Sequence, residues 1–511
     1  NLPGNSGQYT VEQLPANNKT SCSKTDPVGT VIDDDTATFR IRVTGRALSP
    51  QGTPIGPKRS IVATFKRKSF LDYIYFTDLE ILDPTLYPAL FATGATNTKE
   101  NVGNNDIDAT GPRNIETWGN QVCAQYAYVK AKNNKYRSQQ YFNGSRTQSA
   151  GALIGGSWQS LSVSCSDLST TNADIRFADA DSVNGPLHTN DSPLICGSPN
   201  FGRDPTDAIE TAAPGDSSIT TVSSSWRNDP RSGCSPNTPD VNFNGSTAKS
   251  DKGSWLMNQG IIQLPPTNQS LDQEATAGYT FTGNTYITLN ASTITVTGKR
   301  ESDGANLNNA TLAYPANGVI YVQNDSAVGC TGYNVSYPYA ARPGCGIAWV
   351  SGNYATSLTI GAQDDIVVTN NIRNTATGTA LLGLVATNFI RVQHKVVDQN
   401  QCADDQSGGT NLASGSITNA RIDAALLTLK HSFIVDNFRC GGGLGDLTVY
   451  GAISQKFRGP VGTGSGRTNT SGYIKNYSYD NRLRTLSPPK FLDPVKAAWR
   501  LKTYQEQSPA T

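Results

Sequence analysis

A short apolar strand pattern that returns at fixed spacing is the feature that most constrains this chain. Leu358–Val368 aligns with Leu382–Val392 at an offset of 24. Leu358 falls on Leu382, Ile360 on Leu384, Ala362 on Ala386, Ile366 on Ile390 and Val368 on Val392. After an insertion that holds Cys402, the pattern returns at Leu427–Val435 and again at Leu447–Ile453. Asn, Asp and Gly fill the gaps. Apolar strands recurring every 20 to 24 residues predict the coils of a right-handed β-solenoid. A single coil cannot bury its inward face alone, so coils stack into one core. The expected inward residues are Leu358, Ile360, Ile366, Leu382, Leu384, Ile390, Leu427 and Leu429. The alternative is a β-sandwich that shares the spacing by coincidence.

Composition favours strands throughout. Only 16% of residues are charged, and 42 Lys and Arg against 41 Asp and Glu leave a net charge of +1. Solubility then rests on Asn, Ser, Thr and Gly, which are poor helix formers. Thr, Val, Ile and Tyr suit strands. The chain is expected to be all-β, an N-terminal antiparallel meander followed by the solenoid with long loops. Near-neutral charge gives no footprint for nucleic acid or an anionic membrane. The longest apolar runs, such as 380–386, are strand-sized, well short of a membrane span. The chain starts at Asn1 and has one methionine, Met257, which suggests a processed or truncated product.

Residues 1–69 carry the meander. Tyr9–Leu14 is a short alternating strand. Phe39, Ile41 and Val43 oppose Arg40, Arg42 and Thr44, and Arg59–Lys68 repeats the alternation. The Leu48–Lys58 connection between them is expected to be long and exposed. Lys66, Arg67 and Lys68 read as a solvated strand end. Residues 70–149 form a connecting segment that opens on the dense apolar run Phe70–Pro84. Residues 150–460 hold the solenoid with inserted loops and hairpins. Residues 461–511 form a C-terminal cap and tail, with a short helix expected over Val495–Leu501, after Pro494.

Nine cysteines are present and none forms a CxxC pair. Wide spacing in a polar β-rich chain indicates disulfides in an oxidising compartment rather than zinc. Pairing sequential neighbours gives Cys123–Cys165, Cys196–Cys234, Cys330–Cys345 and Cys402–Cys440. Cys22 is left over, as a free thiol or an intermolecular bond.

Catalytic chemistry is hard to find. The three histidines, His188, His394 and His431, lie near no Gly-x-Ser-x-Gly elbow. The acidic runs Asp33–Asp35, Asp364–Asp365 and Asp404–Asp405 read as turn caps, because neighbours on a strand point to opposite faces. Asp179–Gly185 has the flavour of a calcium loop but lacks its bidentate Glu, so a β-turn is the reading kept. No cofactor or metal is implied. Sequons occur at Asn18, Asn143, Asn190, Asn244, Asn268, Asn290, Asn309, Asn324, Asn334, Asn469 and Asn476, which makes glycans candidate modifications.

The segments Phe70–Asp78, Val183–Asp191, Phe433–Asn437, Gln455–Gly462 and Ser487–Pro494 resemble those of a family of large secreted proteins. These belong to actinobacteria and related bacteria and are associated with type IV pilus systems. The opening meander, with Arg40–Arg46 and Ser60–Lys66, resembles the start of PilX-like pilin-associated proteins, where a hydrophobic pilin helix precedes such strands. That helix is absent here. The resemblance implies an extracellular structural or adhesive role at the cell surface, pilus-associated or as a filament subunit, and supplies no catalytic residue. The alternatives are a carbohydrate-active β-helix enzyme, whose Gly-His-Gly and Arg-Ile-Lys signatures are missing, and a monomeric surface binding module. Expected partners are other copies of the chain or other pilus and surface subunits.

Overall fold

The computed structural model describes residues 6–16, 19–25, 27–33, 38–83, 85–86, 127–130, 136–139, 147–154, 157–164, 176–179, 181–190, 193–203, 206–211, 227–228, 240–241, 255–256, 259, 262–376, 378–402, 411–465, 468–495 and 499–508. The chain is all-β. Among the described residues helix is confined to Pro27–Val31, Gln269–Glu274 and short 3-10 turns. Two compact units are present. One is Asn1–Ser69 with Arg484–Ser487 and Lys496–Thr511, and the other is Phe70–Leu483 with Pro488–Val495.

In the first unit four strands form one antiparallel sheet in the order Gly7–Leu14, Thr38–Leu48, Pro54–Arg67, Trp499–Gln507. The alternation read from Phe39–Thr44 sets the two faces. Val11, Val43 and Ile61 share one row, and Gln13, Ile41, Ala63 and Tyr504 share another on the same face. On the opposite face the buried hydroxyls of Thr44 and Ser60 bond at 2.7 Å.

Three local expectations are corrected here. The Leu48–Lys58 connection is short, because Ser49 and Thr53 close a turn and the strand resumes at Pro54. Lys66 is buried rather than solvated, and its ammonium donates to the Arg484 carbonyl at 2.8 Å. The tail is no helical cap: Trp499–Gln507 is a strand on the open edge of Pro54–Arg67. A helix of one or two turns is marginal in water, whereas an unpaired sheet edge offers a full row of hydrogen bonds.

In the second unit most strands stack in parallel. Leu358–Ala362 lies on Leu382–Ala386 with Leu358 opposite Leu382 and Ile360 opposite Leu384. Ile366 lies opposite Ile390, and Val368 opposite Val392. Seven strands close a ring of parallel pairings. In order they are Thr280–Asn290, Val319–Gln323, Leu358–Ala362, Leu382–Ala386, Arg421–Thr428, Ile366–Asn374 and Ala348–Tyr354. The ring closes because two of its strands each span two neighbours. Thr280–Thr282 pairs with Tyr321–Gln323 while Thr285–Leu289 pairs with Ala348–Gly352. Ile422 pairs with Ile372 while Ala425–Thr428 pairs with Gly383–Ala386.

The stack then runs on in an order the sequence does not follow. Arg421–Thr428 pairs with Gly443–Arg458, and that strand pairs with both Thr468–Tyr479 and Tyr75–Leu82. Tyr75–Leu82 continues to Leu187–Thr189 and then Ile209–Thr211. Part of the expected connecting segment and part of the expected cap are therefore strands of this sheet.

Leu358, Ile360, Ile366, Leu382, Leu384 and Ile390 are all buried in one core with Leu426 and Ile453. Leu427 and Leu429 are buried elsewhere, in a second cluster with Val319, Tyr321 and Val385. Leu426, not Leu427, lies opposite Leu384, and Ile453 lies opposite Leu426. A one-residue slip moves a side chain to the other face of a sheet. Both faces are apolar here because segments such as Ile262–Leu271 and Phe491 cover the second one, as parallel sheets require.

Leu384→Ala should destabilise the protein by about 2–5 kcal/mol, because the close-packed row cannot collapse around the gap. Val11→Ala, on the open sheet face, should change stability by about half a kcal/mol or less. Urea unfolding of the two variants against the parent checks the contrast.

Candidate functional site

The densest polar constellation is built on the turn between Leu358–Ala362 and Ile366–Asn374. Asp364 and Asp365 sit in that turn, both buried. Both carboxylates take Arg342, Asp365 at 2.8 Å. Arg391, on the parallel strand Ile390–Val392, donates to Asp365 at 3.2 Å and to Asp436 at 2.8 Å. The Tyr333 hydroxyl donates to Asp436 at 2.8 Å, and the Arg391 guanidinium lies 4.7 Å from the Tyr333 ring centre. The Phe389 amide caps Asp365 at 3.0 Å, and the Asn388 amide donates to Asp364. The rule that neighbouring side chains diverge holds within a strand. In a turn it lapses, and both acids converge on one arginine.

Burial, helped by the adjacent Asp365 charge, pushes the Asp364 carboxyl up to about 7. Burial also raises Asp436, against the pull of Arg391. The loop that supplies Tyr333 and Arg342 is tied at its base by the Cys330–Cys345 disulfide. Both cysteine sulfurs lie close to an Asp364 oxygen, but a sulfur bonded to its partner offers no thiolate to a metal. Arg342, Arg391, Asp436 and Tyr333 were missed in the sequence. One signal was there: Arg391 occupies the repeat position that Val367 holds in the paired strand, and a charge there needs a buried partner.

The three histidines have separate surroundings. His188 is buried, with Nδ1 at 2.9 Å from Glu210 and Nε2 at 3.1 Å from Asn190 Oδ1. His431 Nδ1 lies 3.1 Å from Asp83, and its ring stacks on Phe389. His394 is fully buried, and neither of its ring nitrogens has a hydrogen-bond partner. Burial pushes its imidazolium down to about 4.

Cys402 is bonded to Cys440, and Cys196 is disulfide-bonded. Cys22 is a free, exposed thiol. Cys123, Cys165 and Cys234 lie outside the described residues, as do Asp34, Asp35, Asp404 and Asp405. In the Asp179–Gly185 turn, Asp179 takes the Ser198 amide, and Asp181 pairs with Lys475 at 2.8 Å. Those carboxylates are engaged by protein donors. Among the sequons, Asn190 and Asn268 are buried and closed to a glycan, while Asn290 and Asn309 are exposed.

The meander sheet carries a group of exposed apolar residues. On its apolar face Tyr9 is 51% exposed, Val11 56%, Ile61 43% and Tyr504 68%. On the opposite face Thr44, Ser60 and Lys66 are buried, while Thr10 and Glu12 are exposed. Among the described residues no helix is long and apolar enough to cross a membrane.

No protein-family model matches the chain, and no curated protein matches it. Among solved structures it is similar to that of the competence-associated pilin ComZ from Thermus thermophilus, at 12% identity. The match covers 98% of this chain and 84% of that one, with a TM-score of 0.29. A shared fold does not follow at that score, and nothing below rests on it.

The unpartnered His394 predicts a stability change with a definite sign. Unfolded, an imidazole binds its proton near 6.5; folded, it resists until about 4. The unfolded state therefore binds more protons between those values, and stability falls as pH falls through that window, by about 3 kcal/mol at pH 4. Asp364 contributes the opposite slope: its raised folded value stabilises at low pH, and that contribution is lost as pH rises through about 7. His394→Leu should remove the first slope alone. Urea unfolding of parent and variant across this window is the check, and equal slopes would refute the assignment.

Proposed function

We propose that this chain is an extracellular structural or adhesive component of a bacterial cell surface, pilus-associated or a filament subunit, and not an enzyme. On this reading the parallel stack is a right-handed β-solenoid that forms a stiff body, and the meander is its assembly module. The observation that carries the reading is the open apolar face of the meander sheet. An exposed apolar patch on an otherwise polar surface marks an interaction site. A second copy presents the same apolar rows, so the face is complementary to itself under a two-fold axis. A net charge of +1 sets up little repulsion between copies.

Two further features support it. Disulfides such as Cys330–Cys345 and Cys402–Cys440 persist in an oxidising, extracellular setting. Several acidic side chains are held in buried ion pairs, such as Arg391–Asp436 and Arg342–Asp365.

Sedimentation velocity on the intact oxidised chain should show concentration-dependent self-association. The double variant Val11→Lys, Tyr504→Lys places a charge on two of the exposed positions and should shift the protein to monomer with its unfolding curve unchanged. Cys22→Ser should remove only a covalent contribution. A parent that stays monomeric at high concentration would contradict the proposal.

A further inference from the structure

Three side chains occupy one row across three parallel strands. Tyr75–Leu82 is the middle strand, with Gln455 opposite Thr77 on one side and Thr189 opposite Thr77 on the other. The next residues along are Lys456, Asp78 and Asn190, and the Asn190 amide still bonds the Thr77 carbonyl at 2.9 Å. Side chains in one row project to one face of a sheet. Asp78 therefore stands between an amine and a carboxamide. Its Oδ2 is 2.9 Å from Lys456 Nζ, and its Oδ1 accepts from Asn190 Nδ2 at 2.9 Å.

The orientation of the Asn190 amide is fixed by the backbone of Ile262. The Ile262 N–H donates to Asn190 Oδ1 at 3.0 Å, and the Ile262 carbonyl accepts from Nδ2 at 2.7 Å. A flipped amide would set donor against donor. His188 Nε2, 3.1 Å away, is the second donor to the same Oδ1. Its ring is held by Glu210, which also accepts from Tyr73 at 2.8 Å. Two donors thus converge on the oxygen where negative charge develops if the carboxamide carbon is attacked. The row is dry: Lys456 is 2% exposed, Asp78 6%, Asn190 2% and His188 0%. Phe70, Phe76, Ile262 and Leu264 form the apolar cluster on this side of the sheet.

We propose that Lys456 and Asn190 become joined by an intramolecular amide bond, formed by the folded chain itself with Asp78 as the proton carrier. Asp78 takes a proton from the Lys456 ammonium, a transfer that removes two buried charges and is favoured where water is excluded. The neutral amine attacks Asn190 Cγ. The Nζ–Cγ bond forms, and the negative oxygen is held by the Ile262 amide and the His188 imidazole. Asp78 returns its proton to Nδ2 and receives one from the attacking nitrogen. The Cγ–Nδ2 bond breaks and ammonia leaves, with the one remaining proton on Asp78 or carried off as ammonium. No oxidant, reductant or cofactor is consumed. The two backbones lie two strand spacings apart, about 10 Å, a gap that the four-carbon lysine stem and the asparagine side chain span together. The link would tie Gly443–Arg458 to the Leu187–Thr189 strand through sequence-distant residues. It exists or not whether or not the protein self-associates.

Mass spectrometry of the folded, disulfide-reduced protein tests this. The expected mass is below that of the sequence by one ammonia, and a protease digest yields one branched peptide containing Lys456 and Asn190. Succinimide formation at an Asn–Gly pair also releases ammonia, so the branched peptide is the deciding product. Asp78→Ala, with both reacting groups still present, should retain the full mass, as should Lys456→Ala. If those variants fail to fold, the parent digest still decides. Linear peptides carrying unmodified Lys456 and Asn190 overturn the proposal, and so does a lysine linked to Asp78 with loss of water.

Discussion

Polar side chains in a parallel sheet covered on both faces have no water to turn to, and the placement of charge in the second unit follows from that. Arg391 and Asp436 are buried and paired with each other. Arg458 meets Glu80 across the paired strands Gly443–Arg458 and Tyr75–Leu82. An isolated buried charge costs several kcal/mol, and a partner within hydrogen-bond reach offsets most of it. Each pair fixes the register of two neighbouring strands, because a slip of one residue would leave both charges alone. The apolar rows supply adhesion between strands, and the charge pairs select which residues meet.

Two of the disulfides act on a different problem. The loop between Val319–Gln323 and Ala348–Tyr354 is long, and so is the insertion between Ile390–Val392 and Arg421–Thr428. Each loop leaves the stack and returns to it. Cys330–Cys345 and Cys402–Cys440 restrict the unfolded freedom of these segments. The first also holds Arg342 and Tyr333 over Asp364, Asp365 and Asp436. Covalent ties therefore sit where strand pairing gives least support.

The sequence made some of this legible. The offset of 24 between Leu358 and Leu382 is the pairing register itself, and the alternation of Phe39–Val43 marks the meander faces. The assignment of Leu427 failed because Ala424–Leu427 is an unbroken apolar run; with both faces buried, alternation carries no information about which side is inward. The tail strand was invisible because its partner, Pro54–Arg67, lies at the other end of the chain, and local propensity says nothing about a distant edge. The same holds for Tyr75–Leu82, which joins Gly443–Arg458 across most of the sequence. Arg391 was legible as a charge in an apolar repeat. Its partners Asp365 and Asp436 were not, since only the pairing of parallel strands brings these segments to one point.

Charge pairing as the selector of register is tested most directly by a double-mutant cycle on Arg391 and Asp436, read by urea unfolding. Asp436→Leu and Arg391→Met singly should each cost about 3–5 kcal/mol, because each takes the main ion-pair partner from a buried charge. The double variant should recover most of that loss, giving a coupling energy of about 2–3 kcal/mol. Single losses that simply add in the double variant would contradict the account.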